Sequence, residues 1–157
     1  MRFGRDSQNL LAMIEGRGFV FNPVVLQSGL REIVHIVMDI ELTQLLEASR
    51  YERNSKRRAY RNGYRESLWH TSIGAIEIRI PKLRRVTYYP DQLLNDQNAI
   101  ESIIRLIKLS ILIGVNEQVL EHELAETLNL NLSRYDISQI AVVLAQVIDD
   151  TMPEEDV

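Results

Sequence analysis

A mainly helical α+β fold follows from three features of this 157-residue chain. A long apolar stripe at helical spacing fills its N-terminal third. One later stretch alternates apolar and polar residues around a glycine, and three shorter helical patterns come after it. The expected order is a long N-terminal helix, one basic β-hairpin, then a three-helix segment with a helix-turn-helix-like pair. By composition the chain divides into a helical segment over residues 1–49, a basic hairpin region over 50–90, a helical segment over 91–150 and a tail over 151–157.

The elements can be justified in order. Asp6 to Glu15 has the pattern of a short helix. Asn22-Pro23 is a helix start, with Asn as cap and Pro at the first helical position. From there to about Ala48, Leu26, Leu30, Ile33, Val37 and Ile40 form one stripe, which Val34, Met38, Leu42, Leu45 and Leu46 widen. Such a broad apolar surface calls for cover on two sides. Asn62-Gly63 is a turn signal. In "LWHTSIGAIEIRIP" a two-residue turn at Gly74-Ala75 would pair Ile73 with Ile76, Thr71 with Ile78 and Trp69 with Ile80. Those six share one face; His70, Ser72, Glu77 and Arg79 share the other, and a one-residue slip would scramble the sorting. Pro81 ends the second strand.

"KLRRVTYYPDQLL" is expected to be a connector. Asn95 or Asp96 can cap a helix running to about Ile113, with Ile100, Ile103, Ile104, Ile107 and Ile111 as its stripe and Gly114 as its stop. Asn116 can cap a second helix from Glu117 to about Leu128, with Leu120 and Leu124 inward. Ser133 and Asp136 have the S-x-x-D capping-box spacing. They open a third helix from Arg134 to about Asp149, with Ile137, Ile140, Ala141, Leu144 and Ile148 inward.

Composition bounds function. Apolar residues make up 45% of the chain and charged residues 25%, which is the range of a globular protein. The absence of cysteine excludes disulfides and thiolate zinc sites. "MRFGRDSQNLLAMIEGRG" lacks a signal-peptide core, and the most apolar run, "LIKLSILIGV", is too short for a bilayer and holds Lys108. A cytoplasmic protein without a membrane partner is expected. The net charge of −4 conceals an asymmetry: Arg50 to Arg85 carries +8 and the remainder −12. The basic third can make a local positive field, while the rest repels polyanions.

"YERNSKRRAYRNGYR", Tyr51 to Arg65, is the densest part of that third. A charge run is usually only a solvated surface. This one is nearly single-signed and interleaved with Tyr51, Tyr60 and Tyr64. Arginine forks suit phosphates, and tyrosines stack on bases. The candidate DNA-contacting residues are therefore Arg50, Arg53, Lys56, Arg57, Arg58, Tyr60, Arg61, Tyr64 and Arg65, extended on the hairpin by Arg79, Lys82, Arg84 and Arg85. In the helix-turn-helix-like pair, Arg134, Tyr135 and Ser138 would face a groove. Seven acids against one Arg between Glu117 and Asp150 argue for packing or dimerisation there instead. Trp69 is assigned to the core by its expected register with Ile80.

No catalytic or metal-binding residue is assigned. Asp149-Asp150 and Glu154-Glu155-Asp156 are adjacent acids of the solvated kind, and "EHELAE" around His122 lacks the second histidine of a zincin helix. His35 and His70 have no nucleophile partner in the pattern.

The strings "YERNSKRRAYRNGYR", "IGAIEIRIPKLRR" and "YYPDQLL" together resemble the N-terminal half of bacterial mutator-type insertion-sequence transposases. There an R-N-G-Y-R segment precedes a hairpin with a glycine turn and a V-P-R/K-x-R exit, followed by an aromatic-Pro step and a helix. "IGVNEQVLEHELAETLNLNLSRYDISQI" is similar to the family's helical pair. Asn116 stands where the family has its first Ser, and Ser133, Ile137 and Ser138 match the S-x-x-x-V-S string. The likeness runs from about Leu26 to Asp150. Members of that family continue into a ribonuclease-H-like domain with three metal-binding carboxylates, to which no acid here corresponds. The resemblance thus implies a DNA-binding portion that recognises transposon terminal inverted repeats as double-stranded DNA and forms a homo-oligomer. It implies no cofactor in this chain, a divalent metal such as magnesium belonging to the catalytic domain. A truncated or split element is the expected origin. The alternative is a helical dimerisation or interaction protein, or a DNA-binding regulator derived from a truncated transposase, without transposition activity.

Overall fold

The computed structural model describes residues 3–46, 61–84, 86–94, 97–128 and 130–151. Over these the protein is mainly helical with one antiparallel hairpin, as the patterning predicts. The order is α1 (Phe3–Gly16), α2 (Pro23–Leu46), β1 (Arg61–Thr71), β2 (Gly74–Leu83), α3 (Asp91–Leu94), α4 (Gln97–Ile113), α5 (Glu117–Leu128) and α6 (Arg134–Thr151).

α2 starts where the sequence places it. The Asn22 side-chain oxygen accepts a hydrogen bond from Val24 N–H at 3.0 Å, and Pro23 is the first helical residue. The apolar stripe is wide enough to be covered from several directions. α2 packs against β2, α4 and α6, and buries Leu26, Leu30, Ile33, Val34, Val37, Met38, Ile40, Leu42 and Leu46. Leu45, expected inward, is exposed. Gly29 is buried where α2 meets α6. A Cβ there would lie 2.7 Å from Val147 Cγ2, so this crossing requires glycine.

The hairpin differs from the predicted register. Its turn is Ser72–Ile73, so Thr71 faces Gly74, Trp69 faces Ile76 and Ser67 faces Ile78. The sequence rule that a one-residue slip would exchange the faces still holds. The actual shift keeps the parity, and Ile76, Ile78 and Ile80 are buried as expected. Three features hold the turn. Gly74 has φ +108°, which an L side chain rarely adopts. The Thr71 hydroxyl donates to Gly74 O and accepts from Ile73 N–H. Gln27 of α2 donates to Ile73 O at 2.7 Å, leaving no room for a Cβ at Gly74. Ile73 is consequently half-buried in the turn and not on a strand. Asn62-Gly63 also forms no reversal: Gly63, φ +78°, sits in a register shift within β1.

The rest of the core follows the pattern closely. The predicted connector contains the single turn α3, and its Tyr88 is buried with its hydroxyl donating to Glu41 at 2.9 Å. In α4, Ile103, Ile104 and Ile107 are buried, and Gly114, φ +88°, closes the helix with its N–H on Ser110 O. The Asn116 side chain accepts from the N–H groups of Gln118 and Val119. The Ser133–Asp136 capping box is formed in both directions, at 2.9 and 3.1 Å. On α6, Ile137, Ile140 and Leu144 are buried as expected, with Val147 inward in place of the half-buried Ile148. α1 rests on α4, with Lys108 of α4 bridging to Glu15 at 2.7 Å. Asn95, Asp96 and the end of the tail lie outside the described residues. None of the described helices is long and apolar enough to cross a membrane.

His35 joins α2 to β2. Its Nε2 accepts a hydrogen bond from Arg79 N–H at 3.1 Å, which requires the ring to be neutral at that nitrogen. Burial, then the charges of Arg31 and Arg79, hold its pKa below the ordinary 6.5.

Two outcomes follow for stability. Ile78 is fully buried, so Ile78→Ala should lower unfolding free energy by about 2–4 kcal/mol in denaturant titration. For His35, the unfolded chain takes up a proton near 6.5 while the native ring stays neutral. Its contribution is therefore complete above that pH and is lost as pH falls below it. Thermal melting from pH 7.5 down to pH 5 should show a decline that is shallower in His35→Gln, which keeps an acceptor but does not titrate.

Candidate nucleic-acid interface

Of the hairpin's two faces, one is spent on the core. Trp69 is half-buried and packs against it, in keeping with its predicted role, although its cross-strand partner is Ile76 rather than Ile80. The other face is exposed but is not uniformly basic. Towards the tip it carries Leu68 and Glu77, and Glu66 stands directly opposite Arg79. The positive side chains gather at the base, where Arg79 and the exposed Lys82 and Arg84 leave the second strand. The exposed positive charge of the described hairpin is thus greatest towards the end that adjoins Arg61.

Arginine and tyrosine are paired there. The Arg79 guanidinium lies over the Tyr64 ring, 4.7 Å from its centroid. Arg65 of β1 lies over the ring of Tyr89, in the segment after β2, at 4.8 Å. Stacking on a ring leaves the edge of the guanidinium free to bind a planar anion. The two arginines differ in one respect. Arg79 stands on the exposed face, whereas Arg65 is half-buried and donates from Nη2 to Tyr88 O at 3.3 Å. Arg65 therefore also anchors the connector.

α6 brings the second predicted set to the same place. α2 and α6 run in opposite senses, with Gly29 against Val147 at one end and Met38 near Gln139 at the other. The first turn of α6 consequently lies beside the hairpin base. Between them is an open cleft of about 390 Å³ lined by His35 and Asp39 of α2, Tyr64 and Arg79 of the hairpin, and Tyr135 and Gln139 of α6. Tyr135 is 71% exposed and Tyr64 39%. Arg134 and Ser138 are exposed on the same end of α6 but do not line the cleft.

This arrangement answers part of the electrostatic objection to α6. Asp149 and Asp150 lie at its far end, roughly 20 Å along the axis from Tyr135 at 1.5 Å per residue. Asp136 is at the near end, but its carboxylate is engaged with Ser133 N–H.

The remaining predicted residues are accounted for as follows. Arg50, Arg53, Lys56, Arg57, Arg58, Tyr60 and Arg85 lie outside the described residues, as does the side chain of Arg61. His35, Asp39 and Gln139 are cleft residues that the linear pattern did not single out. Their only signal is three-dimensional, since His35 and Arg79 are 44 positions apart. Among the described residues, no three His, Asp or Glu side chains come together as metal ligands would.

Comparison with known proteins is consistent with the sequence resemblance. Residues 5–151 match the family described as "Transposase, Mutator family". The chain is 32% identical over 130 residues to the transposase for insertion sequence element IS1081 of Mycobacterium tuberculosis, covering 82% of this chain and 31% of that protein. It is 21% identical over 150 residues to the transposase for insertion sequence element IS256 in transposon Tn4001 of Staphylococcus aureus, covering 96% of this chain and 38% of that protein. The chain thus spans about a third of the length of these relatives. With the family pattern matched over nearly its whole length, the chain belongs to the Mutator family of transposases.

Proposed function

We propose that this chain is the DNA-handling N-terminal portion of a Mutator-family transposase, and that it binds double-stranded DNA at the terminal inverted repeats of its element. The observation that carries the reading is the meeting of Tyr64, Arg79 and Tyr135 around one cleft, with Lys82 and Arg84 exposed beside it. These residues come from segments that the sequence separately marks for nucleic acid. The net charge of +8 over Arg50 to Arg85 supplies the attraction to phosphate. The acidic remainder, at −12, orients the polyanion by repelling it from the other surfaces.

Within this reading each group has a physical role. Arg79, Lys82 and Arg84 neutralise phosphates and fix position along the duplex without reading sequence. Tyr64 and Tyr135 offer ring faces at the edge of the phosphate track. His35 holds the strand from which Arg79 projects, so the arginine is presented by a rigid support. Strand cleavage is outside the proposed role. Two-metal phosphodiester chemistry needs carboxylates converging on a pair of ions. The divalent metal of transposition is assigned here to carboxylates other than those of this chain.

Binding should be measurable by fluorescence anisotropy with labelled duplex DNA. If about six phosphates are neutralised, log K should fall against log salt with a slope of about −5. A flat salt response would contradict the reading. Arg79→Ala should weaken binding while melting like the parent, because the exposed stack on Tyr64 contributes only about 0.5–1 kcal/mol. A nicking assay on supercoiled plasmid with magnesium or manganese should show no product from the chain alone. Nicking that disappears in Asp149→Asn and Asp150→Asn variants would contradict that expectation.

A further inference from the structure

We propose that the outer edge of β1 pairs antiparallel with the same edge of a second copy of this chain, centred on Leu68, so that the two hairpins form one four-stranded sheet. The proposal goes beyond the DNA-binding reading and does not depend on it.

The turn fixes which backbone groups face outward. A two-residue turn closes on a hydrogen-bonded pair, here Thr71 and Gly74, and bonded and non-bonded pairs alternate from there. Trp69 and Ser67 therefore bond to β2, while His70, Leu68 and Glu66 turn their N–H and C=O groups away from it. Arg79, opposite Glu66, follows the same alternation, since its N–H leaves the ladder for His35. α2 thus covers the far side of β2 at Arg79. Among the described residues no backbone partner meets Glu66, Leu68 or His70 on the other side. An unpaired strand edge is a template for another strand unless it is blunted. The register shift between Arg61 and Tyr64 blunts the base end of β1. From Glu66 to His70 there is no register shift, proline or lysine.

The side chains make this edge complementary to itself, which selects a second copy as its occupant. Leu68 is 55% exposed, with exposed Glu66 and His70 two residues to either side. With a two-fold axis at Leu68, the two leucines meet, and each Glu66 meets His70 of the other copy. All of these residues have outward backbone groups, so each opposed pair exchanges two hydrogen bonds. Across the four strands the exposed face then reads Glu77–Leu68–Leu68–Glu77 at the centre and Arg79–Glu66–His70–Ala75 on either side. Each Glu66 carboxylate lies between a guanidinium and an imidazole. Apolar pairs and opposite charges directly across strands are favourable, and like charges are not. Neither Glu66 nor His70 has an ion pair among the described residues to give up. Centred on Ser67 instead, the same edge would set each Glu66 against Leu68 and lose the match.

The test uses the full chain without DNA. Sedimentation equilibrium should show a dimer. The chain has no cysteine, so Leu68→Cys places a single thiol at the axis. Hydrogen-bonded antiparallel partners have Cα atoms about 5.5 Å apart, within disulfide reach, so this variant should crosslink to a dimer on mild oxidation. Glu77→Cys, on the same face but one strand further out, should not. Leu68→Lys should be monomeric at concentrations where the parent is dimeric; the residue is exposed, and circular dichroism alongside should show an unchanged fold. Glu66→Lys should weaken the dimer, and adding His70→Glu to it should restore the dimer, which damage to the hairpin alone would not do. A parent that stays monomeric would leave the edge to another segment or partner and overturn the proposal. A dimer that survives Leu68→Lys, or a Glu77→Cys crosslink as efficient as that of Leu68→Cys, would place the interface elsewhere and overturn it as well. Duplex binding is read separately by anisotropy, so its failure and the failure of this pairing are distinguishable.

Discussion

The structure depends on α2 being covered from several directions at once. An isolated two-stranded hairpin is marginal in water, and this hairpin has no other sheet to join among the described residues. It is held because Ile76, Ile78 and Ile80 pack into the core that α2 shares. Three polar contacts from the same helix then set its position lengthwise: Gln27 to the turn at Ile73, His35 to Arg79 N–H, and Glu41 to the Tyr88 hydroxyl. α6 is seated on the same helix through the close approach at Gly29. One helix thus decides how far the hairpin base lies from the first turn of α6.

That shared support explains how an acidic protein can present a basic surface. Charge segregates in the sequence and again in space. On the exposed face of the hairpin Glu77 lies nearer the tip and Lys82 and Arg84 at the base, while Arg79 stands opposite Glu66. The acids at the end of α6 are a helix length away from Tyr135. A duplex meeting the hairpin base therefore encounters cations and tyrosines while the carboxylates lie mostly elsewhere. Asp39 and Asp136, which line the cleft, and Glu66, opposite Arg79, are the exceptions.

Much of this was legible in the sequence because it is local. The Asn22-Pro23 start, the Asn116 cap and the Ser133–Asp136 box each involve neighbours within a turn, and each is formed. The buried face of β2 was legible because strand parity is fixed by alternation. The register was not. Alternation excludes a one-residue slip but is blind to a shift that preserves parity, so Trp69 could be paired with Ile80 or Ile76 on equal terms. The observed turn is held by Thr71 and Gly74 together with Gln27, 46 positions from its acceptor, and no local pattern carries that last contact. Asn62-Gly63 was misread for a related reason. A positive φ is a local demand of glycine, but whether it serves a reversal or a bulge depends on the partner strand. The candidate surface follows the same division: Tyr64, Arg79 and Tyr135 were readable as residue types, and their convergence on His35 and Gln139 was not.

The central claim is that the hairpin base and the first turn of α6 contact one DNA molecule together. Photocrosslinking tests it most directly, using duplex DNA substituted with 5-iododeoxyuridine and peptide mass spectrometry to locate the adducts. The account predicts adducts on the peptides containing Tyr64 and Tyr135 in the same complex. Adducts on the Tyr64 peptide alone, or on the acidic face of α5, would contradict it.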